Sequence, residues 1–109
     1  MSPELKTKWL EALRSGEYRK GKRRLCTIDP KGDRYCCLGV LYEILHGKEA
    51  WRGPRYDDMV GDYVRMTARL SSVTFGHSVL TDPHVGELAI INDGSDSFEP
   101  VITYIENKL

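Results

Sequence analysis

Apolar residues near the start of the chain recur with a helical period. Leu5, Trp9 and Leu13 stand four apart, and Leu10 and Ala12 widen the stripe. Ser2-Pro3-Glu4 precedes them with helix-start chemistry: a hydroxyl that can cap, a proline tolerated at the first position and an acid favourable in the first turn. Ser15-Gly16 ends the pattern, so a first helix is predicted between these signals. A second apolar face follows from about Cys36 to Leu45, through Cys37, Val40, Leu41, Ile44 and Leu45, and His46-Gly47 closes it. Nothing in that stretch is charged before Glu43, which predicts a central, buried helix.

Between the two helices, Leu25-Cys26-Thr27-Ile28 and Arg34-Tyr35-Cys36 flank Asp29-Pro30-Lys31-Gly32-Asp33, which is turn chemistry and predicts a short β-hairpin. A lone hairpin is marginal, so this one must lie on the helices. Residues 47–57, with Trp51 and Arg52-Gly53-Pro54, read as a loop tethered by the indole. Asp57 to Leu70 carries Val60, Tyr63, Val64 and Thr67 at helical spacing; Ser71 to Leu80 fits either a short strand around Val73-Thr74-Phe75 or irregular chain. Thr81-Asp82-Pro83 repeats the cap-then-proline signal and opens a helix through Val85, Leu88, Ala89 and Ile91, stopped at Asn92-Asp93-Gly94. Ser97 is expected to cap a last helix with Phe98, Val101, Ile102, Ile105 and Leu109 on one face. The fold class expected is α+β and mainly helical: about four helices packed with a small β-hairpin, in a single compact domain over residues 1–109.

Composition adds exclusions. An apolar fraction of 40% and a charged fraction of 29% are those of an ordinary soluble protein, and no apolar run approaches the roughly 20 residues of a membrane span. Met1-Ser2-Pro3-Glu4 leads straight into the amphipathic stretch without a signal-peptide pattern, and the three cysteines are an odd number. Reduced thiols and a cytoplasmic location are expected, with no disulfide framework. Net charge is zero but sorted along the chain: residues 1–34 hold ten Lys/Arg against five Asp/Glu, and residues 82–109 hold one against six. Pairing of the two ends within the fold is the expected outcome, ahead of separate basic and acidic partner surfaces.

Chemistry-bearing residues are few. A cysteine nucleophile needs a base and an oxyanion site, and nothing in the spacing ties Cys26, Cys36 or Cys37 to His46, His77 or His84. Adjacent cysteines on a helix point about 100° apart and cannot jointly grip a metal as a C-x-x-C pair does, so no catalytic residue, metal or cofactor is assigned. Asp93-Gly94-Ser95-Asp96-Ser97 is oxygen-rich, but its glycine is misplaced and no bidentate glutamate follows, so a helix connection explains it. The exposed feature that stands out is a basic connector over residues 17–24. Arg19, Lys20, Lys22, Arg23 and Arg24, with Tyr18, combine charge and stacking surface as phosphate-bearing ligands require, and they are the candidate ligand- or partner-binding residues. The alternative for them is a solvated loop that balances the acidic C-terminal third.

Three segments together resemble a family of small uncharacterised phage-encoded proteins. The first is a tryptophan helix of the form Trp-x-x-Ala-Leu-Arg-Ser-Gly-x-Tyr, here Trp9 to Tyr18. The second is Tyr-Cys-Cys-Leu-Gly-Val-Leu, here Tyr35 to Leu41. The third, Leu-Ala-x-x-Asn-Asp with a following Gly and Ser-Phe, is here Leu88 to Phe98, with Ser95-Asp96 after Gly94. The resemblance spans both ends of the chain and leaves out residues 48–80. It implies no particular activity, but short phage accessory proteins without catalytic motifs act by stoichiometric binding, by analogy rather than by physics. The function expected is therefore a non-enzymatic, phage-encoded counter-defence inhibitor that docks on a host protein complex in the bacterial cytoplasm. The alternative is a binder or sponge of a nucleotide signal or nucleic acid through connector residues 19–24. Oligomeric state is left open, and no membrane association is expected.

Overall fold

A computed structural model describes residues 1–22, 25–27, 31–47 and 79–109. The first helix, α1, spans Pro3–Arg14. Ser2 caps it in an extended conformation, its Oγ accepting from the Leu5 amide at 3.2 Å, and Pro3 sits at the first position, where a missing N–H costs nothing. Its stripe buries Trp9 and Leu13 fully, with Leu5, Leu10 and Ala12 packed against the core. Gly16 follows with φ +78°, a left-handed conformation that lets the chain turn away and that a side chain would strain.

The connector does not run as a free loop. Arg19–Lys20 forms a short strand, β1, within the segment expected to be a basic connector. β2 (Cys26–Thr27) and β3 (Arg34–Tyr35) form the expected antiparallel pair, with Cys26 opposite Tyr35 and Thr27 opposite Arg34. β1 adds on the other side of β3 and runs parallel to it, Arg19 opposite Arg34 and Lys20 opposite Tyr35, giving the order β1-β3-β2. The ladder continues past β1 with the Gly21 amide donating to Tyr35 O at 2.7 Å. A Cβ on Gly21 would stand 3.0 Å from Arg34 Cβ, so the missing side chain permits this approach.

Helix α2 (Cys37–His46) begins directly after β3 and ends at Gly47, which has φ +80°. Helices α3 (Asp82–Asp93) and α4 (Glu99–Lys108) form the C-terminal part. The residue that caps α4 is Phe98 rather than Ser97, but Ser97 Oγ still accepts from the Glu99 amide at 3.4 Å. Among the described residues the four helices form a closed ring, α1 on α2, α2 on α3, α3 on α4 and α4 on α1, with β3 against α2. The core gathers Trp9, Leu25, Leu38, Leu41, Val85, Leu88, Val101 and Ile105 between them. α2 is central: its residues 37–43 are all buried, so its first two turns are covered on every side.

The architecture is α+β and mainly helical, as its pattern predicts. The ends of the chain pair as the charge sorting suggests. Arg14 meets Glu106 at 2.6 Å and Lys22 meets Asp96 at 2.8 Å, each pair joining the basic N-terminal third to the acidic C-terminal third. The expected loop around Trp51, the helix from Asp57 to Leu70 and the undecided segment from Ser71 up to residue 78 lie outside the described residues, as do Arg23 and Arg24. No helix among the described residues is long and apolar enough to cross a membrane.

Candidate functional site

Two polar constellations stand out: a buried clamp at the start of α2 and an open cleft beside the sheet. A helix start leaves backbone N–H groups without helical partners, and burial of these groups is costly unless side chains supply acceptors. Here Cys36 is the capping residue, its Sγ accepting from the Gly39 amide at 3.2 Å. The Cys37 amide donates to Asn92 Oδ1 at 3.1 Å, and the Cys37 carbonyl accepts from Trp9 Nε1 at 2.9 Å. Asn92 is fully buried and also donates from Nδ2 to Gly21 O at 3.0 Å. The backbone of a single residue, Cys37, thus joins α1, α2 and α3, and Asn92 extends the bonding to the end of β1.

α2 also lies directly on the backbone of Leu25, the residue before β2. A Cβ on Gly39 would fall inside the Leu25 carbonyl oxygen and 2.6 Å from its carbon, so only glycine lets the helix approach. The Cys36 amide donates to the same Leu25 carbonyl at 3.1 Å. One turn on, Glu43 is 5% exposed, and Tyr18 donates to its Oε1 at 3.2 Å. Burial and the Glu43 carboxylate push the Tyr18 hydroxyl up to about 12 and the Tyr35 hydroxyl, also bonded to Glu43, higher still. Tyr18 and Tyr35 meet edge to face at 5.0 Å between ring centres.

All three cysteines are buried, and none of them forms a disulfide. Burial, aided by Asp33 and Glu43, raises Cys26 to about 12, and burial lifts Cys37 well above its ordinary 9.0. A nucleophilic or metal-binding cysteine needs the opposite shift, toward the thiolate.

The cleft has a different character. About 390 Å³ of open volume is lined by Lys20, Gly21, Lys22, Thr27, Arg34 and Asp96. Of the connector's candidate residues, Lys20 and Lys22 line it. Lys20 is half-buried; its Nζ donates to the carbonyls of Asn92 at 2.6 Å, Ser95 at 2.9 Å and Gly21 at 3.0 Å, and it lies 5.9 Å from the centre of the Phe98 ring. It supplies the cation that α3 lacks in its own last turn. Lys22 is exposed and paired with Asp96, whose carboxyl it holds below the usual range by that hydrogen bond. Arg19 is exposed and donates from Nη1 to Gly32 O at 2.9 Å, outside the cleft lining. Tyr18 points instead to Glu43.

The structure therefore brings Lys20 and Lys22 together and adds two lining residues that the connector alone does not suggest, Thr27 and Arg34. Their signal was the hairpin itself, since its strands carry them to the same sheet. Asn92 went unrecognised as a clamp residue because Asn-Asp-Gly reads as a stop. Its spacing from Val85, Leu88 and Ala89, seven, four and three residues back, already placed it on the core face.

The three segments that carry the resemblance are those that meet in this clamp: Trp9 from the first, Cys36, Cys37 and Gly39 from the second, Asn92 from the third. A family model, Domain of unknown function (DUF8296), matches the chain over residues 1–109. The chain belongs to that family. No curated protein and no solved structure matches it.

Proposed function

We propose that this is a non-enzymatic binding protein, phage-encoded, which acts in the host cytoplasm as a counter-defence inhibitor by docking on a host protein. The observation that supports it is the use made of the reactive side chains. The thiols of Cys26, Cys36 and Cys37 are buried, Asn92 and Trp9 are bonded to the Cys37 peptide, and Glu43 is bonded to tyrosines. Among the described residues these groups serve the scaffold, which supports surface recognition as the activity. Phage origin rests on the resemblance of the three segments. The test is affinity capture from host lysate by the immobilised chain: a host protein retained in stoichiometric amount, and still retained at raised salt, is the expected result. Retention of nothing, or of nucleic acid alone, refutes docking on a protein.

A second reading, a nucleotide or nucleic-acid binder through the connector, draws support from the cleft, where Lys20 and Lys22 of the connector join Arg34. Titration with a mononucleotide and with a single-stranded oligonucleotide at two salt concentrations separates this reading from the first, because phosphate contacts release counterions and weaken steeply with salt.

A further inference from the structure

We infer that the cleft is a site for a phosphate-bearing small molecule, and that the Asp96 carboxylate occupies it as an internal stand-in which the ligand's phosphate displaces from Lys22. The inference rests on the second reading above and specifies its chemistry. The lining groups carry three positive charges, on Lys20, Lys22 and Arg34, and one negative, on Asp96. A phosphate monoester brings up to two negative charges in place of the single charge on Asp96 and suits the lining better. Thr27 contributes a hydroxyl, and Gly21 leaves its part of the lining without a side chain, so backbone and ligand can approach closely.

The cation nearest the core is fixed. Lys20 is held by three carbonyls, so its charge is positioned before any ligand arrives. The cation at the mouth is not. Lys22 is 45% and Asp96 98% exposed, and a pair so open to water has little to lose when one anion replaces another. Asp96 lies in the short connection between α3 and α4 and can leave Lys22 without disturbing either helix. The volume, about 390 Å³, falls in the range of small-molecule sites and exceeds what inorganic phosphate alone fills. A polymer needs a track of cations, whereas these converge on one cleft.

Calorimetric titration of the full chain with inorganic phosphate, AMP, adenosine and a single-stranded octanucleotide tests this, in wild type and in Lys22→Ala, Asp96→Asn and, as a remote control, Lys8→Ala. AMP is expected to bind and adenosine not to; Lys22→Ala weakens AMP about tenfold through loss of a charged hydrogen bond. Asp96→Asn tightens it about threefold by removing the competing carboxylate. Lys8→Ala changes nothing. Circular dichroism melts of each variant confirm that the fold is kept, since all three positions are exposed. Equal binding of AMP and adenosine overturns the inference, as does AMP binding that Asp96→Asn leaves unchanged or weakens, although the second reading survives that result. Binding of the octanucleotide alone overturns the small-molecule claim in favour of nucleic acid. Binding of none of the four overturns both the inference and the reading beneath it.

Discussion

The clamp at the start of α2 and the cleft beside the sheet meet at Gly21, which accepts from Asn92 and lines the cleft, and they use polar groups in opposite ways. In the clamp, each polar atom is buried and has a specific partner: Cys37 N on Asn92, Cys37 O on Trp9, Gly39 N on Cys36. At the mouth of the cleft the charges face water and pair loosely, Lys22 with Asp96, while Lys20 deeper in is fixed by carbonyls. Leaving a buried group without its partner costs its full desolvation, whereas water replaces a lost partner at the surface. The clamp should therefore be intolerant of change and silent in binding, and the cleft tolerant in folding and sensitive in binding.

The largest break is expected at Gly39. Any side chain there collides with the Leu25 backbone, which cannot move away without pulling its carbonyl from the Cys36 amide. Gly39→Ala should cost about 4 kcal/mol or more, enough to leave a domain of ordinary stability partly unfolded. Urea denaturation measures it. A variant as stable as wild type would mean that α2 does not rest on the Leu25 backbone.

Asn92→Ala comes next. It strips the acceptor from buried Cys37 N and removes one of the two donors to Gly21 O, which keeps Lys20, and should cost roughly 1–3 kcal/mol. The loss should appear as a lower urea midpoint. An Asn92→Ala protein that unfolds within about 0.5 kcal/mol of wild type would show that water reaches the clamp.

The two regions were also unequally legible in the sequence. Helices α1 and α4 follow from apolar spacing alone, because burial of Trp9 and Leu13, or of Val101, Ile102 and Ile105, is decided by neighbours three and four residues away. The β2–β3 pair follows from the turn residues between its strands. β1 has no such local signal. It is two residues long and parallel to β3, and its register with Arg34 is set fifteen residues later in the chain. The partners of Asn92, Cys37 and Gly21, stand 55 and 71 residues away, so the sequence shows that Asn92 faces the core but not what it bonds. The connector was legible as basic, but not that three carbonyls engage Lys20 or that Thr27 and Arg34 complete a cleft.

Alkaline pH probes the buried side of the comparison more gently. Cys26 is raised from 9.0 to about 12 and Tyr18 from 10.0 to about 12, in both cases chiefly by burial. In the unfolded chain these groups lose their protons first, so unfolding releases protons and becomes easier as pH rises. The stability they contribute is complete below about 9 and is lost as pH climbs toward 12. Melting temperature should hold steady to pH 8 and then fall. Alkylation of the native protein at pH 8 should leave all three thiols unmodified, and rapid labelling of any of them would contradict their burial.

The smallest effect on folding is expected in the cleft, and its smallness carries information. Lys22→Ala, Asp96→Asn and the double variant should unfold at midpoints indistinguishable from that of wild type, because both side chains stay hydrated in the folded state and ordering them offsets much of what attraction gives. Any coupling that a double-variant cycle does resolve should vanish near 1 M salt, where charges are screened over about 3 Å. Asn92→Ala should lose the same stability at both salt concentrations, since its bonds are neutral and buried. A Lys22–Asp96 coupling that persists at high salt would place the pair among the fixed contacts of the scaffold. The cleft would then be closed by its own carboxylate in the way that the clamp is closed by Asn92, and the contrast between a region built to hold and a region free to exchange would fail.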